Sequence, residues 1–367
     1  MKFADVLEIK NGRNQRQVEN PDGRYPIYGS GGVMGRADDY ICEAETVVIG
    51  RKGSINNPIF VNEPFWNVDT AFGLIAKRDV LLPKYLYYFC VNFDFEKLNT
   101  TVTIPSLTKA NLLQIEIALP TLEEQKKVVD ILDKITNLAE LRQQQLAKSD
   151  ELVKARFVEM FGDPFLNLMN WNKIKIANAV TVEPQNGMYK PQSNYVTDGT
   201  GTPILRIDSF YDGEVTDFSL LKRLVCNEEE KQKYALREDD IIINRVNSIE
   251  YLGKCARITG LKEETVYESN MMRMHFDSKR FNPIYIIQLL CSQFIYRQIV
   301  NHAKKAVNQA SINQKDVLDF DIYEPPIELQ NTFGGFVKQT EQLKLPIQKS
   351  IEQMETLKKA LMQQYFG

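Results

Sequence analysis

Leu119-Pro120-Thr121-Leu122-Glu123-Glu124-Gln125-Lys126 has a counterpart 205 residues downstream, Glu324-Pro325-Pro326-Ile327-Glu328-Leu329-Gln330-Asn331. The correspondence extends without a gap in both directions, so that Val102 to Gly162 lies over Val307 to Gly367. Ser106 matches Ser311, Pro120 matches Pro325, Gln125 matches Gln330, Leu152 matches Leu357, and Phe161-Gly162 matches Phe366-Gly367. Identities number 14 in 61 positions, where ordinary composition gives roughly 4 by chance. The chain is a duplication. Units of a solenoid repeat every 20 to 50 residues or so, so a period near 200 makes each copy a whole domain with a connecting element. Approximate twofold character follows, and it suits a partner that is itself twofold or offers two similar sites.

Around the opening stretch the pattern changes from strand to helix. Pro120 stops the preceding strand, Thr121 is placed to cap, and Glu123-Glu124 put negative charge in the first turn, where the helix dipole favours it. The second copy opens at Pro325-Pro326, and Leu343, Ile347, Ser350, Met354, Leu357 and Leu361 then repeat at steps of three and four. In the first copy the matching positions include Arg142, Gln145 and Ser149, so the stripe there rests on Leu138, Leu146, Leu152 and Val153. A helix–helix seam is expected at Leu138, Leu146, Leu152, Leu343, Ile347, Met354, Leu357 and Leu361. Pro346 predicts that each helical element is a shorter helix followed by a longer one.

Working outward, the expected domains are 1–120, strand-rich; 121–162, helical spacer; 163–323, a second strand-rich domain; and 324–367, a second spacer. The fold class is α+β, with the strand-rich domains in pseudo-twofold arrangement and the spacers packed as an antiparallel coiled coil. Short apolar runs such as Thr46 to Ile49 and Asp240 to Asn244 predict strands, and Pro83 to Asn92 and Pro283 to about Val300 predict helices. Gly162-Asp163-Pro164 ends the first spacer and Trp171 restarts a fold.

The 367 residues are 43% hydrophobic and carry a net charge of −3. That charge argues against a simple nucleic-acid binder and confines any DNA-binding surface to a local basic patch. Apolar runs are short of a membrane span and Met1-Lys2-Phe3-Ala4-Asp5 has no signal-peptide core, so no membrane association and a cytoplasmic location are expected. The scattered Cys42, Cys90, Cys226, Cys255 and Cys291 read as reduced thiols, and His275 and His302 lack metal-like or triad-like neighbours. No metal, cofactor or catalytic residue is expected.

The spacer opening, together with Tyr25-Pro26-Ile27-Tyr28-Gly29-Ser30-Gly31-Gly32, Val48-Ile49-Gly50-Arg51-Lys52-Gly53-Ser54-Ile55 and Phe65-Trp66-Asn67-Val68-Asp69-Thr70-Ala71-Phe72, resembles the specificity (S) subunits of type I restriction-modification systems. The resemblance covers nearly the whole chain, although the second strand-rich half lacks the Gly-Ser-Gly-Gly block and is similar to a different subclass of the domain. It implies a non-catalytic protein whose strand-rich domains are target-recognition domains, each reading one half of a split asymmetric target in double-stranded DNA. It also implies partners: two methyltransferase subunits docked on the helical regions, and restriction (translocase/nuclease) subunits recruited through them. A spacer helix of about 25 residues is roughly 37 Å long, close to one duplex turn of about 34 to 36 Å, which would make the helices a ruler.

Base readout needs bidentate donors such as Arg, Asn and Gln in exposed turns. The candidates are Tyr28, Ser30, Arg51, Lys52, Ser54, Asn56, Asn57 and Ser106 in the first domain, and Arg206, Asn244, Arg245, Asn247, Ser248 and Ser311 in the second. The loops Thr101 to Thr108 and Asn308 to Asn313 add hydroxyls and amides just before each spacer. Any one of these residues is alternatively a solvated loop residue or a phosphate contact. Two other functions stay open at this point. Asn57-Pro58-Ile59-Phe60 resembles the Asn-Pro-Pro-Phe/Tyr motif of amino-methyltransferases without its second proline, and a DNA methyltransferase would also need a glycine-rich methyl-donor loop that is missing. A coiled-coil scaffold that does not bind DNA fits the near-neutral charge but gives no reason for two large dissimilar domains.

Overall fold

The computed structural model describes residues 1–98, 106–215, 217–307 and 309–367; of the loops singled out above, 101–105 and Asn308 lie outside the described residues. Its helices are α1 (Phe3–Val6), α2 (Pro83–Asn92), α3 (Lys109–Leu112), α4 (Leu122–Phe161), α5 (Glu228–Tyr234), α6 (Pro283–Leu290), α7 (Gln293–His302), α8 (Gln314–Leu318) and α9 (Ile327–Phe366). Two units emerge, Met1–Gln145 with Pro346–Gly367, and Leu146–Leu345.

In unit 1 the strands are β1 (Leu7–Asn11), β2 (Tyr25–Gly29), β3 (Gly32–Ala37), β4 (Thr46–Gly50), β5 (Ile59–Val61), β6 (Trp66–Asn67) and β7 (Ala71–Ala76). They form a sheet of order β1-β7-β4-β5, antiparallel throughout, and a smaller sheet β3-β2-β6 in which β2 and β6 run parallel. Strand β4 is buried at all five positions because α2 covers one face and the loop region the other. Phe3, Ile9, Phe72, Leu74, Tyr85, Leu86 and Phe89 fill the main core together with Val128, Val129 and Leu132 of α4 and Met362 of α9.

Unit 2 is built from β8 (Asn172–Lys175), β9 (Val180–Asn186), β10 (Tyr195–Val196), β11 (Thr202–Leu205), β12 (Phe210–Tyr211), β13 (Gly213–Val215), β14 (Lys222–Leu224), β15 (Ile241–Asn244), β16 (Val246–Asn247), β17 (Cys255–Arg257), β18 (Val266–Tyr267), β19 (Met271–Phe276), β20 (Lys304–Lys305), β21 (Ala310–Ser311) and β22 (Asp321–Glu324). The principal sheet has the order β12-β13-β17-β15-β19-β9; β10-β14-β11-β18 and the small sheet β16-β21-β20 flank it, and β22 pairs with β8. Ile241, Ile243, Met272, Met274, Tyr285 and Ile286 fill a core that also takes Val153, Phe157 and Phe161 of α4 with Phe333 and Val337 of α9.

In unit 1, therefore, the first turns of α4 share a core with the last turns of α9, and in unit 2 the last turns of α4 share a core with the first turns of α9. Within each unit the two helices run in opposite directions. The two units are built alike at this point: Tyr85 packs on Phe366 at 4.9 Å between ring centroids, and Tyr285 packs on Phe161 at 4.7 Å. One buried glutamine fastens each helix start. Gln125, with no exposure, donates to the Val80 and Pro120 carbonyls (both 2.9 Å) and accepts from the Leu82 N–H (2.9 Å). Gln330 donates to the Arg280 and Pro325 carbonyls (3.0 and 2.8 Å) and accepts from the Asn282 N–H (2.9 Å). Thr121 and Glu124 close a reciprocal cap, Thr121 N–H donating to the carboxylate (2.9 Å) and Glu124 N–H to the hydroxyl (3.3 Å).

Several expectations are corrected. Each spacer is one unbroken helix of 40 residues, about 60 Å long, not a shorter helix followed by a longer one. Pro346 sits inside α9 at an exposed position, and Gln342, whose carbonyl loses its helix partner there, is also exposed, so the missing bond is not a buried loss. The helix expected from Pro283 to about Val300 is two, because Ser292 accepts from the Ile295 N–H and starts a new helix after Leu290. Along the expected seam Ile347 is buried and Leu146, Met354 and Leu361 are half-buried, while Leu138, Leu152, Leu343 and Leu357 are exposed. Periodicity defines a stripe but not what covers it. Apolar cover is concentrated on the outer turns, at Val128, Leu132 and Ile135, at Val153, Phe157 and Phe161, and at Phe333, Val337 and Met362.

Candidate nucleic-acid interface

The candidate residues of unit 1 are assembled by three chain segments that meet at Arg51. Its N–H donates to the Thr70 carbonyl (2.7 Å), and its own carbonyl accepts from the Leu107 N–H (2.9 Å). Lys52 forms an antiparallel bridge with Ser106. Glycine at position 50 is required, since a Cβ there would fall 2.3 Å from the Ser54 carbonyl oxygen; it would also lie 3.0 Å from the Cβ of Ser30, so the β2–β3 turn sits beside this loop. The Arg51 guanidinium lies 5.7 Å from the Phe72 ring centroid, and neither Arg51 nor Lys52 has a carboxylate within salt-bridge distance among the described residues. Ser54 and Asn57 are exposed and Ser30 half-buried. Tyr28 packs edge-on to Phe65 at 5.3 Å, and burial, with the Glu63 charge second, pushes its phenol up from the ordinary value. Asn56 is a fold residue: its amide donates to Asp94 (2.9 Å) and accepts from the Phe95 N–H (2.7 Å).

Unit 2 repeats the junction at Arg245. The Arg245 N–H donates to the Asn270 carbonyl (2.8 Å) and the Arg245 carbonyl accepts from the Ile312 N–H (3.0 Å). Leu107 and Ile312 are separated by the 205 residues of the duplication, Thr70 and Asn270 by 200. Other contacts follow suit. Val68 N–H donates to the Tyr28 carbonyl and Glu268 N–H to the Leu205 carbonyl, each at 3.0 Å. Gly12 and Gly187 occupy matching positions, where a Cβ would fall 1.8 Å from the Val68 oxygen and 2.3 Å from the Glu268 oxygen. Leu205-Arg206 thus stands where Tyr28-Gly29 stands in unit 1, although no Gly-Ser-Gly-Gly block marks it in the sequence.

Side chains differ while the backbone frame recurs. Arg206 is half-buried, lies 5.6 Å from the Tyr195 centroid, and has Glu268 at 3.7 Å from a buried Nε that makes no hydrogen bond. One Arg245 Nη donates to the Ser269 carbonyl at 3.2 Å and its buried Nε is unpaired. Asn247 accepts from the Ser248 N–H (2.8 Å), and Ser311 lies across from Val246. Asn244 is fully buried at the end of central strand β15, its amide donating to the Tyr251 carbonyl (3.4 Å), so it faces the interior instead of an exterior ligand. Sequence reasoning missed the third segment of each junction, Thr70 and Ser269-Asn270. For the first a signal existed, since Thr70 lies inside the Phe65 to Phe72 block.

A family model described as a type I restriction modification DNA specificity domain matches residues 1–148. The chain is 31% identical over 183 residues to a putative type I restriction enzyme MjaX specificity subunit of Methanocaldococcus jannaschii, covering 50% of this chain and 42% of that one. It is 25% identical over 313 residues to the EcoKI specificity subunit of Escherichia coli, covering 80% of this chain and 66% of the relative. Residues 1–148 thus match the DNA specificity domain of type I restriction-modification systems, and the chain is similar to their specificity subunits.

A specificity-subunit fold accounts for the whole chain. The crystal structure of a type I restriction-modification S subunit from M. genitalium superposes with a TM-score of 0.64 at 16% identity, over all of this chain and 95% of that one. A second solved structure, from work on complex assembly and conformational transition of a type I system, gives 0.58 at 16% identity over all of this chain and 96% of that one. The chain spans about two-fifths to two-thirds of the length of the first curated specificity subunits it matches. Among the described residues no group of three or more His, Cys, Asp and Glu is placed to hold a metal ion, and no helix is long and apolar enough to cross a membrane.

Proposed function

We propose that this chain is the non-catalytic DNA-reading subunit of a type I restriction-modification enzyme, active in the cytoplasm, in which residues 1–120 and 163–323 are target-recognition domains that each read one half of a split asymmetric target. The spacers at 121–162 and 324–367 dock two methyltransferase subunits and, through them, restriction subunits. The observation that carries this reading is the recurring junction at Arg51 and Arg245. Each holds a basic residue directly after a central strand, with its backbone bonded on both sides to distant segments, while the neighbouring side chains differ. A shared frame with unlike side chains suits two readers of unlike sequences, because base discrimination resides in side chains. The similarity of residues 1–148 to the type I DNA specificity domain supports the same role.

Methylome sequencing of a host with and without this chain tests it. One split, asymmetric, adenine-methylated motif is expected to vanish when the chain is removed. Loss of no motif, or of a continuous palindrome, overturns the proposal.

A further inference from the structure

The β20–β21 ribbon of unit 2 carries two cations that the candidate residues above do not include. After α7 the chain runs out through Lys304 and Lys305, turns with Ala306 N–H donating to the Gln309 carbonyl (2.7 Å), and returns through Ala310 and Ser311. Strand β21 pairs on its other edge with β16, so the ribbon extends the segment that begins at Arg245. The register puts Lys304, Ser311 and Val246 in one row and Lys305, Ala310 and Asn247 in the next. Residues directly opposite share a face and successive residues alternate. Ala310 and Ile312 are buried and mark the inner face, which leaves Lys304 on the outer face with Ser311; Lys305, opposite Ala310 on the edge strand β20, is nevertheless exposed, and its long stem can carry the charge past the strand edge.

Both lysines are exposed, and among the described residues neither has a carboxylate within salt-bridge distance. Val307, 98% exposed, stands at the turn between them and the return strand. In a chain of net charge −3, two adjacent unneutralised cations on the ribbon that continues from Arg245 form a local patch of the kind a polyanion requires. The duplication sets them off further. Just ahead of the matched stretch, the positions 205 residues earlier are Asn99 and Thr100, both neutral.

We propose that Lys304 and Lys305 bind phosphodiester oxygens of duplex DNA beside the half-site read by the second domain, with the ribbon lying along the backbone. The proposal rests on the DNA-reading function above. Lysines on an edge strand also prevent unwanted strand pairing, and the test separates the two roles, since charge reversal preserves edge protection and destroys phosphate binding.

The experiment measures binding of the full chain, assembled with its methyltransferase subunits, to a duplex bearing the motif lost on its deletion, between 50 and 200 mM salt. Two phosphate contacts contribute about 1.8 to the slope of log affinity against log salt. Wild-type affinity should therefore fall about 12-fold further over that range than the affinity of a K304A/K305A variant, and K304E/K305E should bind more weakly still at low salt. Phosphate-ethylation interference should lose signal beside one half-site only, with thermal melting unchanged. If wild type binds and both variants match it in affinity and slope, or if the lost signal spans both half-sites, the ribbon assignment is wrong. If wild type itself does not distinguish the motif from an unrelated duplex, the failure belongs to the DNA-reading function instead.

Discussion

Replacing Gln330 with leucine tests whether the buried amide, and not apolar packing alone, fixes the start of α9. The substitution keeps the side chain's volume and removes three hydrogen bonds: from the Asn282 N–H (2.9 Å), to the Arg280 carbonyl (3.0 Å) and to the Pro325 carbonyl (2.8 Å). Each intramolecular bond contributes about 1 kcal/mol net, and a buried group left without a partner costs about 1 to 3 kcal/mol, so the loss should be about 3 kcal/mol at least. If Leu146–Leu345 melts as one cooperative unit of about 200 residues, its unfolding entropy is about 0.4 kcal/mol/K and the melting temperature should drop about 7 °C. Urea titration followed by far-UV circular dichroism reads the free energy, and a thermal scan reads the temperature. Gln125→Leu should cost the same, because its three partners lie at equivalent places and distances. A change below about 1 kcal/mol in either variant would show that the two helix starts are held by packing and that the amide is incidental.

Arg51→Ala should relax discrimination in one half of the methylated motif and Arg245→Ala in the other, each by about 1 to 3 kcal/mol at one base pair; methylome sequencing of strains carrying each variant would reveal degeneracy in both halves, or in neither, if the division of labour is wrong. Glu341 of α9 has its carboxyl pushed up from the usual range by burial and then by the neighbouring Glu214, against the opposing pull of Lys344 and Arg257. A carboxyl whose native value is raised loses native stability as pH climbs from its unfolded value of about 4.3 through the native one. Glu341→Gln should therefore melt higher than wild type at pH 8 and nearly the same at pH 4.5, and an equal difference at both values would contradict the assignment.

Much of this fold is local enough to be legible in sequence. Pro83 fixes the start of α2 within a residue, the Thr121–Glu124 cap marks the start of α4, and the apolar runs at Thr46 and Asp240 became β4 and β15. These signals depend on neighbours a few residues apart. What the sequence did not disclose depends on remote partners. Asn244 looks like a polar residue in a turn, but it ends a strand flanked on both sides, and only the sheet order buries it. The leucines at 138, 152, 343 and 357 have the right spacing for a seam and are nevertheless exposed, because cover comes from the domain bodies at the helix ends. The junction at Arg51 needs residues 70 and 107, and no pattern within a short window joins them. Lys304 and Lys305 read as an ordinary charged pair until strand pairing sets them beside Arg245.

The matched sockets for Phe161 and Phe366 bear on how each domain is completed. Tyr85 and Tyr285 each receive a phenylalanine from the helix that follows the opposite domain. Each strand-rich domain is thus finished by a plug encoded far away, and both plugs are phenylalanine. A chain joined at the spacer start to another domain with an aromatic socket at this place would meet the resident plug. Like fittings at both positions mean that either strand-rich domain can be replaced without rebuilding the plug that closes it.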